Sequence, residues 1–67
     1  MDTAKLELAA QRYREAEAAF AAARDDLQVE TAAFLGRTGQ PEAFAEAAGI
    51  TGWTEADLRR IAAQSPA

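Results

Sequence analysis

The sequence predicts an all-α fold in which one long N-terminal helix is followed by two short helices that pack back on it. Glycine and proline are absent from Thr3 to Leu35 and interrupt the rest of the chain, so long-helix and short-helix regions are distinct. A large apolar residue recurs every seventh place in the first region, at Leu6, Tyr13, Phe20, Leu27 and Phe34. We expect the three helices at about 3–35, 41–48 and 55–64.

The long helix is rich in Ala, Glu, Gln, Arg and Leu, which have high helix propensity. Gly36 is the expected stop, because glycine adopts the left-handed conformation of a helix C-terminus at little steric cost. Arg37 beside it suits the negative end of the helix dipole. The chain is therefore expected to be a single domain, 1–67, with the heptad-patterned helix in residues 1–36 and the short helices in residues 37–67.

The short helices have recognisable ends. Pro41 fits the first turn of the second helix, where its missing N–H costs nothing, and Gly49 is expected to follow the last residue of that helix. Thr54 is expected to cap the third helix, with Asp57 bonding back toward the cap. Leu58 and Ile61 fall on one face of the third helix, and Ser65-Pro66-Ala67 ends the chain.

The two short helices together span roughly 27 Å even if laid end to end, which is well short of the long helix. We expect them to hide Phe34, Leu27 and Phe20. Leu8 and the first heptad positions should then stay exposed, and exposed apolar patches mark interfaces. Alanine between the large residues would let a partner helix approach closely, in a homodimer or with another protein. The predicted interface comprises Leu6, Ala9, Tyr13 and Ala16. The alternative is that the stripe faces only the core of its own domain.

Catalysis has few candidate groups in this sequence. The chain contains no Cys and no His, which excludes disulfides, thiolate or imidazole metal sites, and His-based acid/base chemistry. Asp25 and Asp26 are adjacent, so their side chains diverge on a helix, and Thr38 and Ser65 lack a His or Cys partner. We expect a non-enzymatic protein without cofactor or metal.

Charge and segment composition limit the possible partners. The formal net charge is -4, and an acidic chain has little sequence-independent attraction to phosphates. No apolar run reaches the roughly 18 residues of a membrane span, and the first residues lack the basic-then-apolar order of a signal peptide, so we expect a cytoplasmic protein with no membrane partner. Nineteen Ala and six Arg against one Lys indicate a GC-rich bacterial genome.

Trp53 lies in a glycine-flanked connection, where two interpretations are open. A tryptophan at such a place plugs the gap between helices with its indole N–H at the rim, or it is an exposed anchor for a partner.

The C-terminal half carries a family resemblance. Helix-turn-helix proteins place alanine in the first helix, glycine four residues later in the turn, an aliphatic residue six after the glycine and another three beyond it, as here in Ala48, Gly52, Leu58 and Ile61. Residues 39–62 thus resemble small bacterial helix-turn-helix DNA-binding regulators with a long N-terminal helix. Residues 41–49 also resemble the first helix of the motif, but in a register set by Gly49. We therefore expect Gly49-Ile50-Thr51 to be a three-residue insertion in the turn. Such an insertion would affect how the two helices are placed relative to each other for DNA contact.

The resemblance implies that the third helix lies in the major groove with its N-terminal turn toward base edges. Thr54 and Glu55 would then face bases, and Arg37, Arg59 and Arg60 would contact the DNA backbone. The alternative is a protein-protein interaction module that uses the heptad seam and has no nucleic-acid role. The resemblance favours a dimeric, DNA-binding transcription regulator, whereas the acidic charge favours the interaction module.

Overall fold

The computed structural model describes residues 1–64 and confirms the all-helical architecture; the expected chain end at Ser65-Pro66-Ala67 lies outside the described residues. Two short helices pack against the C-terminal end of one long helix and against each other, in a body measuring 60 × 23 × 14 Å. The helices are α1 (Ala4–Thr38), α2 (Glu42–Thr51) and α3 (Glu55–Gln64).

Helix α1 ends three residues later than predicted. Gly36 is helical, and the left-handed cap is Gly39, with φ 60° and a backbone N–H that donates to the Leu35 carbonyl at 3.4 Å. Leu35 is buried in the core, so packing holds this last turn in helical geometry. The predicted stop at Gly36 was wrong because a second glycine follows closely and caps the turn that carries Leu35.

Helix α2 is also longer than predicted, and this changes the turn. Gly49-Ile50-Thr51 is the last turn of α2 and not an insertion between helices. Gly52, with φ 78°, is the left-handed cap, and its backbone N–H donates to the Ala48 carbonyl at 2.9 Å. Pro41 stands just before the helix, with φ -58°. The expectation that Gly49 ends the helix was therefore wrong.

Helix α3 begins and ends where predicted. The cap at Thr54 is confirmed, since the backbone N–H of Asp57 donates to the Thr54 hydroxyl oxygen at 3.1 Å. The Asp57 carboxylate does not reach back to the cap; it accepts a hydrogen bond from Arg60 at 3.1 Å.

The core is small and lies where the three helices meet. Its centre is Leu58, which is 0% exposed. The alanines of α2 leave room for α1 and α3 to approach each other closely. The buried set comprises Thr31, Leu35, Ala43, Ala47, Leu58 and Ile61.

The short helices cover less of the long helix than predicted, so the expectation that they hide Phe20 and Leu27 was wrong. Phe20 is 68% exposed and Leu27 is 38% exposed, while Phe34 is partly buried against the core. No side chain of residues 4–30 is buried. The short helices reach the last turns of α1 only, because each has 10 residues and both pack beside its C-terminal end.

Candidate functional site

The connection between α2 and α3 is a tight turn of three residues, Gly52-Trp53-Thr54. Side chains fix it at both ends: the Thr51 hydroxyl oxygen accepts the backbone N–H of Trp53 at 3.1 Å, and Thr54 caps α3. Of the two helix-turn-helix registers, the structure places Gly52 in the turn and Gly49 inside α2. The conflict between the two registers is thereby removed.

Trp53 is half-buried and packs against the core cluster. This position matches the plug interpretation of the residue. Its neighbours on α1 also make it one wall of an apolar groove between α1 and the turn, lined by Phe20, Ala23, Arg24, Leu27, Thr51 and Trp53.

One face of α3 is buried and the other is open. Leu58 and Ile61 point into the core, whereas Glu55, Arg59 and Arg60 are exposed, as is Thr54 before them. The four predicted base- or backbone-contacting residues at this helix are therefore all exposed, in two groups, Thr54-Glu55 and Arg59-Arg60, on either side of the buried Leu58. The helix supplies this arrangement because inward positions recur every three to four residues.

The two arginines of α3 differ in their surroundings. The Arg59 guanidinium lies over the Phe44 ring, 5.7 Å from its centroid, and the side chain borders the loop Gly39-Gln40-Pro41. Stacking of this kind orients the planar donor group while leaving its edge free for hydrogen bonds. Arg60 pairs with Asp57 at 3.1 Å, an exposed ion pair of the kind that contributes little to stability.

Arg37 lies on a different element from the other two arginines. It is exposed in the last turn of α1, two residues before the loop that Arg59 borders. Within residues 37–64 these three basic residues stand against four acidic ones, Glu42, Glu46, Glu55 and Asp57, and Glu30 of α1 also borders α2. The electrostatic field of this three-helix end of the molecule is therefore mixed rather than strongly positive.

The second candidate surface is the stripe along α1. Leu6 is 71% exposed, Tyr13 66% and Phe20 68%, and the alanines between them, Ala9 and Ala16, are exposed as well. The predicted interface residues thus lie together on an uncovered face. We call this face the α1 stripe and define it by Leu6, Ala9, Tyr13, Ala16, Phe20 and Ala23.

Sequence reasoning missed two residues near these surfaces. Ile50 is 75% exposed and borders a second apolar groove with Leu27, Thr31 and Phe34. The sequence pattern places Ile50 in a turn because Gly49 resembles a helix end, whereas the structure has it in the last turn of α2. Thr31 is buried although polar, and its spacing of four residues from Leu35 was the signal that could have found it.

We also looked in residues 1–64 for paired carboxylates, a metal site and a membrane-spanning helix. The adjacent Asp25 and Asp26 are exposed, and Asp25 lies 3.8 Å from Arg24. Within this range no group of three or more acidic side chains is arranged to hold a metal ion. None of the three helices combines the length and apolarity that crossing a bilayer requires.

Comparison of the chain with protein-family models, with curated proteins and with solved structures finds no match.

Proposed function

We propose that the protein is a small bacterial, cytoplasmic regulator that contacts DNA through α2 and α3 and self-associates through the α1 stripe. The observation that carries the proposal is the three-residue turn at Gly52, which joins α2, with Ala43 and Ala47 buried, to α3, with Leu58 and Ile61 buried. The exposed positions Thr54, Glu55, Arg59 and Arg60 then form the surface that a major groove would receive.

Each exposed residue of that surface has a distinct chemical role in the proposal. The Thr54 hydroxyl still has its proton to donate, and the Glu55 carboxylate can accept from the amino group of cytosine. Arg59, oriented by Phe44, and Arg60 would bind phosphate or guanine edges. Arg37 would contact the backbone from the end of α1.

The test is a titration of a fluorescent mixed-sequence duplex followed by anisotropy. Three arginines neutralising three phosphates predict that affinity falls about 40-fold between about 50 and about 200 mM salt. Arg59→Ala with Arg60→Ala should abolish measurable binding. The control pair Arg12→Ala with Arg14→Ala removes the same charge from α1, far from the turn, and should leave most of the affinity. No binding of the unmodified protein at low salt would refute the DNA contact.

A second candidate function is favoured by the charge. With a net charge of -4, the protein suits a protein partner at least as well as a polyanion. As a protein-protein interaction module, the chain would use the α1 stripe to pair with a second copy or to bind in a partner's groove. Helices α2 and α3 would then only stabilise the C-terminal end of α1. Light scattering with and without the duplex separates the two: the regulator gains the mass of the duplex, whereas the interaction module keeps its own mass.

A further inference from the structure

The α1 stripe has a limited open length. Thirty-five residues form α1, but its last turns are taken by α2 and α3, which bury Thr31 and Leu35. The stripe and the buried positions lie on the same face, since Phe20, Leu27 and Thr31 follow each other at helical spacing. Trp53 extends the cover to the level of Ala23 and Leu27. A partner helix can therefore lie along α1 only up to about that level.

The alternation of large and small residues indicates the direction of the partner. In a parallel pair each stripe residue meets its own copy, so Phe20 would lie on Phe20 and Ala16 on Ala16. The helices would be forced apart at one layer and left with a gap at the next, although close packing requires an even separation. In an antiparallel pair each large side chain instead lies opposite an alanine. Every layer then has the same width.

The geometry points to a second copy of this chain, packed antiparallel with Leu6 opposite Ala23, Tyr13 opposite Ala16 and Phe20 opposite Ala9. All three large residues find an alanine in this one register. Sliding the copies apart by one heptad places Phe20 opposite Asp2, a charged group. Sliding them together by one heptad places Leu6 opposite Glu30 and drives Ala4 of the second copy against Ala32, which α2 and α3 already cover in part.

The groove beside Trp53 supports the same register. Leu6 of the second copy, lying opposite Ala23, reaches the groove formed by Phe20, Ala23, Arg24, Leu27, Thr51 and Trp53. That groove is largely apolar and open, so a leucine side chain suits it. By symmetry the pair fills two such grooves, and each copy's N-terminal end meets the other's three-helix end.

Charge complementarity also fits. Antiparallel packing brings Lys5, just before Leu6 on one flank, beside Asp26 of the second copy on the same flank, twice in the pair. Within one chain these two residues are about 30 Å apart, so they interact only between copies. Arg12 and Glu17 each approach their own copy, but with an axial offset of about 7 Å, which lets these long side chains point apart.

The first experiment is light-scattering mass without DNA. The unmodified chain should show about twice its 7.1 kDa, and Phe20→Glu should restore 7.1 kDa. Ala18→Glu is the matched control, because Ala18 lies about 200° around the helix from Phe20 and should leave the mass unchanged. A monomer at about 1 mM chain would overturn the inference.

The second experiment tests direction and register. Lys5→Glu or Asp26→Lys alone should raise the dimer Kd roughly five- to tenfold, and both together should restore it. Absence of rescue refutes the register. Since the chain lacks cysteine, Ala9→Cys reports direction: in this pair the two sulfurs are about 16 Å apart and should not form a disulfide, which a parallel pair would form readily.

This inference extends the self-association in the proposed function and does not depend on DNA contact. A dimer mass without DNA binding would support the antiparallel pair and refute the proposed DNA contact. DNA binding by a chain that stays monomeric would do the reverse.

Discussion

The Thr51 hydroxyl accepts the backbone N–H of Trp53 at 3.1 Å and donates its own proton to the Ala47 carbonyl at 2.8 Å. One side chain thus ties the last turn of α2 to the first residues of the connection. Because Gly52 between them is left-handed, this bond helps to set the direction in which α3 leaves. The relative placement of α2 and α3, on which the proposed DNA-contacting surface depends, rests partly on Thr51.

Replacing Thr51 with valine keeps the shape of the side chain and removes both hydrogen bonds. The Trp53 N–H then loses its partner in a half-buried place, so the free energy of unfolding should fall by about 1–2 kcal/mol. Urea denaturation followed by far-UV circular dichroism measures this. Thr38→Val is the control, since the Thr38 hydroxyl reaches only the Leu35 carbonyl, at 3.5 Å. Equal effects of the two changes would show that the Thr51 bridge is unimportant.

The glycines around the turn should respond oppositely to alanine. Gly49 is helical with open space around its Cα, so Gly49→Ala should stabilise the protein by about 0.5–1 kcal/mol. Gly52 has φ 78°, and Gly52→Ala should destabilise it by about 1–2 kcal/mol. Thermal melts of the two variants at equal concentration provide the comparison. Destabilisation by Gly49→Ala would contradict the helical conformation of Gly49 and would favour the three-residue insertion in the turn instead.

The helices could be predicted from sequence because their signals are local. Period and composition determine α1, and Thr54 determines the start of α3. Which glycine of a pair ends a helix is not a local property: Gly36 and Gly49 fit the sequence signal of a helix end as well as Gly39 and Gly52 do, and the structure has the left-handed cap at the later glycine of each pair. The residues of the candidate surfaces could be named from their spacing. Which of these residues are exposed and which belong to the core could not be predicted, because the length of α1 that α2 and α3 cover depends on how the helices pack.

The core should be sensitive at one residue above all. Leu58 is 0% exposed and lies in the core where the three helices meet. Leu58→Ala should therefore lower the free energy of unfolding by about 2–5 kcal/mol, which is a large share of the stability of so small a domain. Leu8→Ala, a change of the same chemistry at a side chain 48% exposed on α1, should cost less than about 1 kcal/mol. Chemical denaturation of both variants checks this. A small effect at Leu58 would contradict the three-helix packing.

The helicity of α1 should depend on protein concentration. No side chain of residues 4–30 is buried within one chain, so the first three quarters of α1 rely on helix propensity and on whatever covers the α1 stripe. In proteins most of the stability of a helix comes from packing of one face and not from propensity. Ellipticity at 222 nm should therefore fall as the protein is diluted below the dimer Kd, and the fluorescence of Trp53 should change with it, because Leu6 of the second copy then leaves the groove that Trp53 lines. Phe20→Glu should show the diluted value at every concentration, and Ala18→Glu should behave as the unmodified chain. Ellipticity independent of concentration over the range in which the mass changes would mean that α1 is stable without its partner.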